Sequence, residues 1–149
     1  MDVIDFKNIL WSYTRQINER TSNLIITLCD HHGITTLQGR ILLEIDQHGS
    51  HTIGTLASRL HIAGTNISTM CKKLEGKGLI VRVRDEGDER VVKVALSEKG
   101  KTVVEEINQE LIEKISNSIQ GETEQSLLEI INGLKKLNKL LEKLTVTKW

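Results

Sequence analysis

Residues 74–100 read LEGKGLIVRVRDEGDERVVKVALSEKG. The hydrophobic period changes inside this stretch. Leu74 is the last member of a helical pattern, and Gly78 interrupts it. Leu79, Ile80, Val81 and Val83 then run into a charged tip, Arg84 to Arg90. Beyond the tip, Val91, Val92, Val94 and Leu96 return in β-branched form. Two such runs around a glycine-containing turn predict a β-hairpin. Ser97-Glu98 predicts the cap and opening of a new helix, with an acid in its first turn. Val103, Val104, Ile107, Leu111 and Ile115 line one face of that helix.

Upstream of the hairpin, two short helices are predicted. Thr52 caps the first, over 53–60. The connection His61-Ile62-Ala63-Gly64 leads to the second, from Thr65 to Lys77. In that second helix Ile67, Cys71 and Leu74 recur at i, i+4 and i+7 and must pack inward, with Met70 beside them. Thr65, Asn66, Ser68, Thr69, Lys72 and Lys73 remain outside. Helix, helix, hairpin is the order of a winged helix-turn-helix, whose second helix lies in the DNA major groove. Short hydrogen-bonding groups near the helix start suit base edges, and ammonium groups further along suit phosphates. The same face would also serve as ordinary solvated surface.

The hairpin tip mixes acids with arginines, which a purely electrostatic clamp would avoid. Two roles are open for Asp88: accepting hydrogen bonds from loop amides, or pairing with Arg90. Arg90, Arg84 or both then extend toward a minor groove, whose negative potential favours guanidinium. With Arg82, these residues complete the candidate DNA-binding set.

The flanks are helical. Residues 2–30 carry Ile4, Ile9, Leu10, Tyr13 and Ile17 at helical spacing, followed by Leu24, Ile25 and Leu28. Gly33 stops that helix. Thr35-Thr36-Leu37-Gln38 has the form of a capping box, and a helix with Leu37, Ile41, Leu42 and Ile45 on one face ends near His48-Gly49. Gly121 separates the last two helices. The final helix places Leu127, Ile130, Leu134, Leu137, Leu141 and Leu144 at alternating three- and four-residue steps, a heptad seam. Leu128, Ile131 and Leu140 widen the stripe beyond the need of one intramolecular partner. A subunit interface accounts for the widening; burial within the monomer is the alternative. Ile4, Ile9 and Leu10 join the candidate interface.

Composition sets the bounds. The chain has 149 residues, 38% hydrophobic and 27% charged, ordinary for a folded soluble protein. No apolar run approaches the roughly 20 residues that span a bilayer, so no membrane partner is expected. The acidic N-terminus lacks an export pattern. Two cysteines, Cys29 and Cys71, are too few for a disulfide framework, and a cytoplasmic location is expected. Formal net charge is zero, but its distribution is uneven. Between Arg59 and Lys93 eight basic side chains stand against five acidic ones, the local excess a nucleic-acid site needs. Proline is absent, which favours uninterrupted helices.

The run Leu74-Glu75-Gly76-Lys77-Gly78-Leu79-Ile80-Val81-Arg82, then Asp88-Glu89-Arg90-Val91-Val92, then Leu96-Ser97-Glu98-Lys99-Gly100, resembles the MarR family of bacterial regulators. Gly33-Ile34-Thr35 matches the usual entry to that family's second helix. The wing motif is the most discriminating part; the terminal helices match only in pattern. The resemblance implies a mainly α protein with a small β-hairpin. A winged helix-turn-helix lobe (35–100) would join an N-terminal dimerisation helix (1–34) and C-terminal dimerisation helices (101–149). It implies a homodimer, a repressor of transcription and a pseudo-palindromic operator in double-stranded DNA. It further implies Arg90 in the minor groove with Asp88 holding it, and release by a small-molecule effector. Trp11, Tyr13 and Arg15 are candidate pocket residues, although Trp11 and Tyr13 fit a dimer core equally well. Two positions depart from the pattern. Ala63 stands where the family often has Ser or Asp, and Gly64 where a polar or basic contact is frequent. Both assign less of the grip to the start of the reading helix and more to the wing and to Lys72 and Lys73.

Other readings have less to rest on. Cys29, His31 and His32 could bind a metal, but the zinc-sensing branch carries Glu-His where this chain has Gly39-Arg40, and histidines after the wing that this chain lacks. A buried cysteine beside two solvated histidines is the plainer account, and no metal site is expected. Redox control needs a thiolate of lowered pKa, whereas Cys71 falls on the inward face of its helix. No phosphate loop, HExxH, GxSxG or paired carboxylates in an apolar setting appear, so neither an enzyme nor a cofactor is expected. A helical protein–protein interaction module without DNA binding is the main rival.

Overall fold

The computed structural model describes residues 1–146 of the chain. In order, the elements are α1 (Val3–His31), α2 (Thr36–His48), α3 (Ile53–Leu60), α4 (Gly64–Gly76), β1 (Ile80–Arg84), β2 (Val92–Leu96), α5 (Glu98–Ser118) and α6 (Glu124–Val146). The chain forms two compact units, one through Leu111 and one from Ile112 onward.

Local chemistry sets the ends of these elements. Asp2 caps α1 by accepting the Asp5 amide at 2.7 Å. Thr35 and Gln38 form the expected capping box, each satisfying an amide that the first turn leaves unpaired. Thr52 caps α3. Gly33 and Gly78 hold φ of +65° and +73°, where a side chain would be strained. His61 adopts the same left-handed region, φ 55°, to close α3. Helix α4 begins one residue earlier than the spacing implies, at Gly64, and ends at Gly76 with Lys77 as its C-cap. Ala63 supplies no side-chain cap.

The first unit has one core. Leu28 from α1, Ile41 and Leu42 from α2, Leu56 from α3, Ile67 and Leu74 from α4, Ile80 and Val94 from the hairpin and Val104 from α5 are all buried. Each fully buried side chain of this size contributes about 1.5–3 kcal/mol relative to exposure. Cys71 lies in the same core, as its helical phase requires. Gly39 lets α2 approach α1: a Cβ there would stand 2.6 Å from Cys29 Sγ.

The hairpin pairs Ile80 with Leu96 and Arg84 with Val92, antiparallel. Arg84 therefore belongs to the strand rather than to the tip. His51, between α2 and α3, adds a one-residue bridge to Val94, with amide–carbonyl bonds of 3.1 and 2.8 Å. That bridge ties the root of the wing to the entry of α3. Nothing in the local pattern around His51 signals it.

In the second unit, α6 has no buried residue. The helix itself forms as the heptads predict, but Ile130, Leu134 and Leu144 are exposed, and Leu127, Leu137 and Leu141 only half-buried. The N-terminal half of α1 likewise exposes Ile4, Ile9, Trp11, Tyr13 and Ile17. No helix among the described residues is long and apolar enough to cross a membrane.

Candidate nucleic-acid interface

Helix α4 divides as its sequence demands. Ile67, Cys71 and Leu74 are buried, while Thr65, Asn66, Thr69, Lys72 and Lys73 are exposed and Ser68 is half-buried. Thr69 spends its hydroxyl proton on the Thr65 carbonyl, 3.0 Å away. The side chains of Lys72 and Lys73 have no hydrogen-bond or ion-pair partner among the described residues. Two adjacent ammonium groups in that state are available to an anionic partner.

The wing is more tightly organised than its sequence announces. Asp88 takes both roles left open for it in one motif: its Oδ1 accepts the Arg90 backbone amide at 3.0 Å, and its two oxygens hold Arg90 Nε and Nη2 at 3.1 and 3.2 Å. The Arg90 side chain is still 90% exposed, so it is aimed but not covered. The Arg90 guanidinium, then the Arg90 amide, hold the Asp88 carboxyl below the usual range. Arg84 behaves differently. Its Nη1 donates to the Glu89 carbonyl at 2.7 Å, which closes the loop rather than projecting the guanidinium. Arg82 pairs with Glu75 at 3.0 Å and so joins β1 to α4. The wing and α4 are thereby linked by a charged contact as well as by the core.

Several positioning groups escape a linear reading. Asp85 accepts the amides of Gly87 and Asp88 and pairs with Lys93. The signal lies in the register: Val83 faces Lys93, so Asp85, two residues on, is its diagonal neighbour on the same face. Glu44 on α2 pairs with Arg59 on α3, and this hydrogen bond is the first cause of its lowered pKa. Lys77 Nζ donates to the Gly33 carbonyl at 2.7 Å and to Gln38 Oε1 at 3.3 Å. It spans the α1–α2 junction, so its charge is committed away from α4's outer face.

The histidines near the end of α1 are not simply solvated. His31 Nδ1 and His32 Nε2 each lie 2.9 Å from a Glu110 oxygen, and His32 Nδ1 lies 3.4 Å from Glu106. His32 is largely buried, at 12% side-chain exposure. This corrects the expectation of two solvated histidines, because α5 brings carboxylates to them across 78 and 79 residues of chain. Among the described residues, no group of three or more His, Cys, Asp or Glu is arranged to hold a metal. Burial pushes both the Cys29 and Cys71 thiols up, opposite to the thiolate that redox chemistry needs. Trp11, Tyr13 and Arg15 are exposed along α1. At 3.6 residues per turn, Tyr13 points to the opposite side of the helix from Trp11 and Arg15.

A reading helix braced by a charged wing defines a winged-helix transcription regulator. The MarR family profile matches residues 34–92. The HTH-type transcriptional regulator SarZ of Staphylococcus epidermidis is 27% identical over 144 residues, covering 94% of this chain and 88% of that protein. The HTH-type transcriptional regulator YwhA of Bacillus subtilis is 31% identical over 104 residues, covering 68% and 75%. A MarR family protein from Bacillus stearothermophilus has the same fold, with a TM-score of 0.85 at 22% identity over 95% of this chain and 99% of that one. A point mutant of MepR from S. aureus, bound to an oligodeoxyribonucleotide, gives 0.63 at 25% identity over 88% and 97%. The chain belongs to the MarR family. It is a transcriptional regulator and not an enzyme.

Proposed function

We propose that the protein is a cytoplasmic homodimeric repressor that binds a pseudo-palindromic operator in double-stranded DNA and is released by a small ligand. The wing carries this reading. Arg90 is held by two side-chain hydrogen bonds to Asp88 and is 90% exposed, the geometry of a guanidinium prepared for a narrow groove. Thr65, Asn66 and Ser68 supply base-edge contacts from α4; Lys72 and Lys73 supply phosphate contacts. Arg82 and Arg84 brace the wing, through Glu75 and the Glu89 carbonyl respectively. Residues 35–100 form the DNA-binding lobe. Residues 1–34 and 101–149 form the dimerisation helices, of which 147–149 lie outside the described residues. The exposed apolar side chains along α1 and α6, Ile4, Ile9, Ile130 and Leu134 among them, support a second copy as their partner, since clustered exposed apolar surface marks an interaction site.

Selection of bound fragments from random duplex DNA by the purified full chain tests this reading. The expected product is a two-fold site with half-sites about 10 bp apart, bound with an affinity that falls steeply with salt. No enrichment, together with no DNA binding at low salt, would overturn it in favour of a protein-interaction module.

A further inference from the structure

The acids of the wing are accounted for poorly by DNA binding itself, because each repels phosphate. Geometry explains two of them: Asp88 holds Arg90, and Asp85 closes the loop behind it. Its Oδ2 accepts the backbone amides of Gly87 and Asp88, both at 3.1 Å. Its Oδ1 lies 2.9 Å from Lys93 Nζ on the opposite strand. Both partners of that pair are about two-thirds shielded, with side-chain exposures of 29% and 32%. The main chain closes the same ring: the Asp85 amide donates to the Val91 carbonyl at 2.9 Å, and the Val91 amide to the Asp88 carbonyl at 3.0 Å. The backbone of Asp88 is thus pinned at its amide by Asp85 and at its carbonyl by Val91. Its carboxylate, so placed, holds Arg90.

We propose that Asp85, anchored by Lys93, is the positioning residue of the wing and sets DNA affinity by aiming Arg90 through Asp88. Arg90 has little to orient it otherwise, being almost wholly exposed. A long side chain without such a support loses rotamer entropy on docking, and pre-organisation removes that loss. The charge arithmetic agrees. Lys93 and Asp85 neutralise one another, and the same contact holds the Asp85 carboxyl below the usual range. The tip therefore keeps its loop-binding carboxylate without presenting that charge to phosphate. A side chain at Gly87 would crowd this carboxylate: a Cβ there would stand 3.2 Å from Asp85 Oδ2.

The inference rests on the reading of Arg90 as a DNA contact, and the test separates the two. Wild type, Arg90→Ala, Asp85→Ala and the double variant of the full chain are titrated against a duplex that the wild type enriches from random-sequence DNA. Arg90→Ala is expected to weaken binding about tenfold. Asp85→Ala is expected to lose several-fold by itself and to add less than about twofold in the Arg90→Ala background, the signature of two residues acting through one contact. Asp85→Asn, whose amide oxygen still accepts the loop amides, is expected to recover part of the loss. Lys93→Ala, run in the same cycle, supplies the result if Asp85→Ala fails to fold. Equal losses in both backgrounds would overturn the inference, because Asp85 would then act independently of Arg90. Loss on Arg90→Ala with none on Asp85→Ala, or on Lys93→Ala where Asp85→Ala fails to fold, would overturn the inference alone. No loss on Arg90→Ala would remove the wing from the mechanism and the inference with it.

Discussion

Gly100 in α5 faces Leu79 so closely that a Cβ on Gly100 would stand 2.0 Å from the Leu79 carbonyl oxygen. That oxygen already accepts the Ser97 amide at 3.1 Å. Ser97 Oγ in turn donates to the Gly78 carbonyl at 2.5 Å and accepts the Gly100 amide at 2.9 Å. Both the root of the wing and the start of α5 meet at this point. The contact is with backbone, which cannot rotate away. Gly100→Ala is expected to destabilise the fold by at least about 1–3 kcal/mol, the usual cost of overpacking, read as a fall in the denaturant midpoint. An unchanged midpoint would show that α5 can shift without cost.

Ala63 offers the opposite opportunity. Its backbone, φ −56° and ψ 136°, already stands in the extended region at the N-cap of α4, and no side-chain bond is made there. Ala63→Ser places a hydroxyl where it can accept an amide of the first turn. A gain of about 1 kcal/mol is expected, measured as a raised thermal midpoint.

Glu110 links the end of α1 to α5 and makes stability depend on pH. The hydrogen bond from His31, followed by that from His32, holds its carboxyl below the ordinary value. A carboxyl lowered on folding contributes stability that is present above its unfolded pKa, about 4.3. That stability is lost as pH falls through the lower folded value. Wild type is therefore expected to lose more stability than Glu110→Gln between about pH 6 and pH 3. Parallel acid-denaturation curves for the two proteins would show that the histidine contacts contribute nothing.

Lys72 and Lys73 stand uncovered on α4. Replacing either by Ala is expected to weaken DNA binding about uniformly across sequences and to reduce the salt slope by about one. Titrations at several salt concentrations check this. A change in sequence preference with an unchanged slope would reassign the lysine from phosphate to base.

Leu137 and Leu141 lie half-buried on an α6 that has no buried residue. If a second copy covers this helix, Leu137→Asp or Leu141→Asp yields monomers or insoluble protein. Sedimentation at micromolar concentration distinguishes these from a normal dimer, and a normal dimer in both variants would remove α6 from the interface.

The elements themselves were legible in the linear chain because their causes are local. Ile67, Cys71 and Leu74 fix the inward face of α4 by spacing alone. Thr35 and Gln38 fix the start of α2 through atoms three residues apart, and Gly78 marks the change from helix to strand. The wing motif was also readable, since Asp88 and Arg90 are two residues apart and bond directly. What the chain could not announce was which charged groups hold each other across distance. Glu110 reaches His31 and His32 only because α5 returns past the end of α1, and His51 meets Val94 only once the hairpin is docked. Arg84 reads as a projecting base until the loop's own carbonyl is seen to capture it, and Asp85 reads as one more acid until the strand register brings Lys93 beside it. Periodicity and capping are properties of neighbours in sequence. The partners of long, flexible, charged side chains are chosen by neighbours in space, and those are decided by packing.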